Sequence, residues 1–148
     1  MNENLKRLLK TSGIIGQIGW LFAAYSATAA SLEVQLENRQ PEGTVYGALH
    51  AAAGGWKSRP VSLASSDDGL LHFADLPPGS YVLQVFQDVN SNGTLDFSRL
   101  GLPREPVGLS GNPPQQRGRP ATSECLFEIS EGANRISIRL GIPGRRKE

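Results

Sequence analysis

Several kinds of functional residue are scarce in this sequence. Cys125 is the only cysteine, which excludes an intramolecular disulfide and leaves the fold to depend on its apolar core. The two histidines, His50 and His72, have no cysteine or histidine at ligand spacing, and this argues against a zinc site. A serine in a nucleophile elbow and a phosphate-cradling glycine motif are also missing. The sequence therefore does not favour the common classes of hydrolase or nucleotide-binding enzyme.

The sequence also lacks an excess of charge of either sign. The whole chain has 15 basic and 14 acidic residues. Residues 1–29 hold three of the basic residues and one acidic residue, so the rest of the chain has 12 basic and 13 acidic residues, a net charge of −1. A near-neutral surface gives no electrostatic reason to expect nucleic acid or an anionic membrane as partner. We expect instead an envelope or extracellular protein or a glycan, whose identity the sequence leaves unknown.

The first 29 residues have the three parts of a secretory signal. Basic residues from Lys6 to Lys10 precede an apolar stretch at about 14–25, and the small residues Ala27-Thr28-Ala29 fit a cleavage site. A membrane anchor is the alternative, but a bilayer span needs about 20 apolar residues, and this stretch is shorter and contains Gln17. No cysteine near the cleavage site offers a point for lipid attachment. The sequence predicts a periplasmic or secreted bacterial protein.

The remaining chain alternates apolar and polar residues in short runs. Leu32, Val34 and Leu36 alternate with polar residues and so define one apolar face of a strand. Turn formers such as Asp67-Asp68-Gly69 separate the runs, and no run has a sustained helical period. The predicted strands lie near residues 32–36, 44–50, 61–64, 70–73, 80–87, 124–129 and 134–140. About seven short strands predict one all-β domain at residues 30–141, a sandwich of immunoglobulin or transthyretin type. A small closed barrel is the alternative, and residues 142–148 are predicted to form a basic flexible tail.

Residues 98–121 interrupt this pattern. Five prolines and several glycines make a regular strand or helix unfavourable there. Loops longer than about 12–15 residues in compact domains are usually functional or disordered. The segment is predicted to be a long connecting loop and a place to look for function.

One motif resembles a calcium-binding loop. From Asp88 to Asp96, oxygen-bearing side chains occupy alternate positions and Gly93 is the sixth residue. Calcium takes six to eight oxygen ligands, and this spacing lets a short loop fold around the ion. The twelfth position, which should be a bidentate glutamate, is Arg99, so Glu105 is the predicted substitute. The predicted calcium ligands are Asp88, Asn90, Asn92, Thr94 through its backbone carbonyl, Asp96 and Glu105.

The same residues allow a simpler interpretation. Asn90-Ser91-Asn92-Gly93 would form an ordinary turn, because Asn and Gly tolerate positive φ and short polar side chains satisfy the local backbone. If calcium binds, the modest number of carboxylates predicts a dissociation constant of about 10⁻⁴ to 10⁻³ M.

Several of these elements, in this order, resemble family 2141 of the bacterial domains of unknown function. They are Leu76-Pro77-Pro78-Gly79-Ser80-Tyr81, the Asp88–Asp96 motif, Leu100-Gly101-Leu102-Pro103 with Glu105, and Gly108 with Ser110. The resemblance extends over about residues 32–140. It implies an exported β-sandwich and no assigned reaction. The sequence departs from the family at Leu109 and at Ser110-Gly111-Asn112, where the family usually has an aromatic residue followed by Ser-Asn.

The other conspicuous residues have structural interpretations. Tyr81 is expected to hold a strand corner or pack in the core, Trp56 to pack over one end of the sandwich, and Cys125 to be a small core residue. His50 and His72 are expected at the surface or half buried. The sequence thus favours an exported, non-enzymatic binding or structural module that calcium stabilises. The alternative is an exported hydrolase or carbohydrate-active enzyme that uses carboxylates of residues 88–105.

Overall fold

The computed structural model describes residues 29–115 and 118–144, which form two β-sheets. Two short 3₁₀ helices, Gly55–Lys57 and Thr122–Glu124, lie in the connections. The strands are β1 (Ala30–Glu37), β2 (Thr44–Ala51), β3 (Ser62–Ser66), β4 (Leu70–Leu76), β5 (Gly79–Asp88), β6 (Val107–Leu109), β7 (Phe127–Ile129) and β8 (Ala133–Arg139).

The strands divide into a sheet of three and a sheet of five. The smaller sheet has the order β4-β1-β8, and the larger has the order β3-β2-β5-β6. On the edge of β5 opposite β2, β6 pairs with residues 84–86 and β7 pairs with residues 79–81. All these pairs are antiparallel except β1 with β8, which run parallel along their whole length. The all-β sandwich predicted from the sequence is confirmed.

The main core lies between the sheets and follows the predicted alternation. Leu32, Val34 and Leu36 of β1 are buried, whereas Glu33, Gln35 and Glu37 between them are more exposed. These apolar side chains of β1 pack with Phe73 and Ile138 of the neighbouring strands in the same sheet. They also pack with Leu49 and Leu83 of the facing sheet. Because every second residue of a strand points to the same face, this alternation buries one face of each sheet in the core.

A second, smaller core covers part of the opposite face of the larger sheet. Val82, Leu109 and Cys125 form this cluster, and Trp56 packs against it. Cys125 is fully buried, as predicted for a small core residue, and burial raises the pKa of its thiol. Strand β5 is therefore buried on both faces near Val82, and this explains the continuous run of apolar residues at 81–83.

The prediction that residues 98–121 contain no regular strand is wrong at Val107–Leu109, which form β6. A strand of three residues is too short to produce an alternation that can be recognised. Gly108 fits because a Cβ there would lie 2.5 Å from Cγ2 of Ile138 and 3.0 Å from the carbonyl oxygen of Arg139. The strand thus depends on close backbone contact with the end of β8, a contact between residues distant in sequence.

Among the described residues, no helix is long and apolar enough to cross a membrane. Residues 1–28, which hold nearly all of the predicted signal segment, lie outside the described residues. So does the end of the predicted basic tail, residues 145–148. Both stay predictions from the sequence.

Candidate functional site

The Asp88–Asp96 loop folds around the side chain of Asp88 at the end of β5. This carboxylate is almost fully buried, and its two oxygens accept hydrogen bonds from the backbone N–H groups of Asn92, at 3.2 Å, and Gly93, at 2.7 Å. Ser91 and Gly93 both adopt positive φ, at 59° and 79°. The polar turn residues of the motif therefore allow the chain to fold back over Asp88.

On the outer side of the loop, two amides converge on one carboxylate oxygen. Oδ2 of Asp96 lies 2.7 Å from Nδ2 of Asn90 and 2.9 Å from Nδ2 of Asn92. The backbone N–H and the hydroxyl of Thr94 donate to Oδ1 of Asn92, at 2.9 and 3.1 Å. These four predicted ligand residues thus lie within one exposed hydrogen-bond network.

Glu105 joins the two ends of the loop. Its side chain is buried, Oε1 accepts from the backbone N–H of Val89 at 3.0 Å, and Oε2 accepts from that of Asp96 at 3.3 Å. The structure therefore places the predicted distant carboxylate against the loop. Within the described part of the chain, no three side chains from His, Cys, Asp and Glu are grouped so that they could hold a metal ion. In this arrangement the carboxylates of Asp88 and Glu105 hold backbone N–H groups.

The segment between Asp96 and Glu105 forms a small closed loop. Phe97 and Pro103 face each other as an isolated bridge, and the backbone N–H of Ser98 donates to the carbonyl of Leu102 at 2.8 Å. At its base the N–H of Arg104 donates to the carbonyl of Asp96 at 2.9 Å. We call residues 95–103 the wall loop. At its base Asp96 pairs with Arg104, and the carboxylate of Glu105 anchors Asp96.

An apolar cleft of about 540 Å³ lies between the wall loop and the outward face of the larger sheet. The sheet contributes the floor of the cleft, and half-buried or exposed apolar residues of the wall loop contribute its side. The main floor residues are Tyr46, Ala48, Leu63, Gln84, Phe86 and Leu109, and the main wall residues are Leu95, Phe97, Leu102 and Pro103.

Strand register creates this apolar floor. Tyr46 of β2 pairs with Phe86 of β5, and their rings stack with centroids 5.3 Å apart. Leu63 of β3 pairs with Ala48 and is 73% exposed. A sheet face directed away from the core is ordinarily polar in antiparallel sheets. The apolar residues here leave a surface that the wall loop only partly covers.

The polar end of the floor is fixed by a buried histidine. Nδ1 of His50 lies 3.1 Å from the carbonyl oxygen of Ser58, so Nδ1 carries the proton and donates. Nε2 then accepts from Nε2 of Gln84 at 3.0 Å. Burial lowers the pKa of His50, the hydrogen bond to Ser58 opposes this, and the charge of Arg119 lowers the pKa further. His50 is therefore neutral near pH 7, and the expectation that it lies at the surface or half buried is wrong.

Arg119 supplies the charge at the cleft. Its guanidinium carbon lies 5.5 Å from the centre of the Trp56 ring, and Nε1 of Trp56 donates to the carbonyl of Pro120 at 3.0 Å. Arg119 is the only charged side chain among the described residues that line the cleft. Trp56 therefore both packs against the second core, close to its predicted structural role, and orients this cation.

Sequence reasoning found the loop but missed the cleft. Outward-facing aromatic residues at Tyr46 and Phe86 were the available signal, together with Leu95, Phe97 and Leu102 in a segment otherwise rich in turn formers.

The other structural interpretations agree with the structure. The hydroxyl of Tyr81 donates to the carbonyl of Pro77 at 2.5 Å, and Asp68 accepts from the N–H of Leu70 at 3.0 Å in the β3–β4 turn.

Comparison with known proteins gives one family. The model of the family described as "Uncharacterized protein conserved in bacteria (DUF2141)" matches residues 34–137. No curated protein and no solved structure matches the chain significantly.

Proposed function

The chain belongs to this family of uncharacterised bacterial proteins, and we propose that its domain is an exported, non-enzymatic module that binds a ligand in the apolar cleft. The cleft itself is the observation that carries the proposal. Its volume of about 540 Å³ falls within the range of small-molecule sites, about 300–1,000 Å³. Exposed apolar patches beside polar groups commonly mark binding surfaces.

A test of binding uses the uncharged fluorescent probe N-phenyl-1-naphthylamine with protein purified after expression of the full chain. Leu63→Asp places a charge on the cleft floor at a side chain that is already 73% exposed. Val61→Asp is the matched control, because Val61 is 54% exposed and lies outside the cleft. We expect Leu63→Asp to reduce probe affinity at least tenfold and Val61→Asp to leave it unchanged. Equal binding by both variants would contradict the proposal.

The absence of catalysis is part of the proposal, and the roles of the polar groups support it. Asp88 and Glu105 accept backbone hydrogen bonds, and His50 is held between Ser58 and Gln84. A hydrolase that uses carboxylates of residues 88–105 is the alternative. We expect the unsubstituted protein and the Glu105→Gln variant to hydrolyse ester, glycoside and phosphate substrates at the same background rate. Turnover that is lost in Glu105→Gln, while unfolding experiments show that the variant is folded, would establish the hydrolase.

Export is supported by the order of basic, apolar and small residues at 1–29. Expression of the full chain in bacteria should give a processed protein in the periplasm or medium. Its intact mass should match a chain that begins at Ala30 or one residue later. A full-length mass in the membrane fraction would favour the anchor instead.

Calcium binding at the Asp88–Asp96 loop is the second part of the proposal. The convergence of Asn90 and Asn92 on Oδ2 of Asp96 supports it, because rotation of both amides would present three oxygens to one point. Each carboxylate oxygen of Asp88 accepts one of the backbone hydrogen bonds described above and retains a lone pair for a cation. Since Asp96 is also at the base of the wall loop, a bound ion would stiffen one side of the cleft.

Thermal unfolding in 10 mM calcium, in chelator and in magnesium tests this part. A dissociation constant of about 10⁻⁴ M predicts about 2.7 kcal/mol of stabilisation, a rise of several degrees in Tm. Asp96→Asn should remove the calcium effect and Asp75→Asn, at an exposed aspartate of β4, should retain it. Coincident unfolding curves in calcium and in chelator would show that the loop is an ordinary turn. The proposal for the cleft would be unaffected.

A further inference from the structure

The cleft is apolar over most of its lining and has a cation at one end. Aromatic and aliphatic side chains form the floor and the wall loop, and Gln84 and Arg119 provide polar groups. Sites of this kind bury the apolar body of a ligand, while a few polar groups orient it. The chemical character of those polar groups therefore restricts the class of ligand.

Arg119 is available for an external anion. Within the described part of the chain, its guanidinium makes no ion pair, and its position over the Trp56 ring is the contact that orients it. A cation–π contact uses none of the N–H donors of a guanidinium, which can therefore bind a carboxylate through two parallel hydrogen bonds. The positive charge of Arg119 also acts on His50, the hydrogen-bond partner of Gln84 on the cleft floor.

Gln84 provides a hydrogen-bonding group of fixed orientation on the floor. Because its amide nitrogen donates to Nε2 of His50, the amide cannot turn without losing this bond. Its oxygen then remains to accept a hydrogen bond from a ligand, and its second N–H remains to donate one. Arg119 carries the charge among the described residues that line the cleft, so the anionic group of a ligand belongs there.

We propose that the cleft binds a small amphipathic anion, with an acyl or aromatic body on the Tyr46–Phe86 floor and a single carboxylate or similar anionic group at Arg119. This inference rests on the binding role proposed above and is independent of calcium. A ligand without charge would leave the guanidinium without an anionic partner. A cationic ligand would be repelled by Arg119.

The test compares three probes with the same ten-carbon chain: decanoate, 1-decanol and decyltrimethylammonium, each below its aggregation concentration. Protein purified after expression of the full chain is titrated by calorimetry. Arg119 is exposed, so water screens its ion pair with a carboxylate, and decanoate should bind about two- to fivefold more tightly than decanol. Decyltrimethylammonium should bind most weakly.

Matched variants locate the charge effect. Arg119→Gln should remove the preference for decanoate and keep the affinity for decanol, whereas Arg59→Gln, an exposed arginine away from the cleft, should change neither. Leu63→Asp should weaken decanoate and decanol, and Val61→Asp neither. Trp56 fluorescence, taken as the difference from Trp56→Phe, should change with decanoate and not in Arg119→Gln. Circular dichroism and the unfolding midpoint show that each variant is folded.

The outcomes separate the two proposals. Equal affinity for decanoate and decanol, reduced by Leu63→Asp, would overturn the anion inference and preserve the cleft as a binding site. A preference for decanoate that persists in Arg119→Gln would also overturn the inference. No binding of any probe, or binding that Leu63→Asp leaves unchanged, would overturn both, and the cleft would then be considered as a docking surface for a protein partner.

Discussion

Replacing Glu105 by glutamine should weaken the anchor of the wall loop. Glu105 is only 6% exposed, and each carboxylate oxygen accepts a hydrogen bond from one backbone N–H, that of Val89 at 3.0 Å or that of Asp96 at 3.3 Å. Glutamine offers one oxygen in the same space, so its NH₂ group must face one of these donors. The variant loses one hydrogen bond to a charged group and leaves a part-buried N–H without an acceptor. We expect a loss of about 2–3 kcal/mol in the free energy of unfolding.

Thermal unfolding in chelator measures this loss without a contribution from calcium. At about 4 °C per kcal/mol for a domain of this size, Tm should fall by roughly 8–12 °C. Glu42→Gln is the control with the same change of charge at an exposed site, and it should change stability by no more than about 0.5 kcal/mol. Hydrogen exchange at Val89 and Asp96 should accelerate in Glu105→Gln alone. Equal Tm values for the two variants would refute the anchoring role of Glu105.

Two further predictions concern other parts of the sandwich. Because the pKa of His50 is lowered in the folded state, the unfolded state binds more protons, and stability should fall as pH decreases from about 7 through the ordinary histidine value. This fall should be smaller in His50→Asn and unchanged in the exposed control His72→Asn, as urea unfolding between pH 7 and 5 would show; equal slopes in all three would contradict it. Gly108→Ala should cost about 1–3 kcal/mol because the new Cβ meets Ile138 and the Arg139 carbonyl, whereas Gly141→Ala, which meets nothing within 4 Å, should cost less than about 1 kcal/mol. Similar unfolding midpoints in denaturant for the two glycine variants would show that β6 is not held by close contact.

The long strands could be predicted from sequence because their alternation is local. Leu32, Val34 and Leu36 define β1 within five residues, and β8 has the same pattern. Strand β6 lacks such a signal, since Gly108 has no side chain and its burial depends on Ile138, thirty residues away. Tertiary contact therefore determines β6, which the sequence did not reveal.

The candidate site, too, could be predicted from the sequence only in part. The spacing from Asp88 to Asp96 identified the loop, and the missing carboxylate pointed to Glu105, which the structure places beside it. The hydrogen bonds that these carboxylates make with backbone N–H groups could not be read from spacing. The cleft depends on the pairing of Tyr46 with Phe86 across β2 and β5, and sequence reasoning gave no register for these strands.

The location of bound ligand tests the central claim most directly. Backbone amide shifts of isotope-labelled protein would be recorded during a titration with N-phenyl-1-naphthylamine. Binding in the cleft predicts concerted changes along Tyr46–Ala48, Gln84–Phe86 and the wall loop, with little change in β1, β4 and β8. Changes concentrated on the smaller sheet, or scattered weakly over both sheets, would show that the cleft is not the binding site.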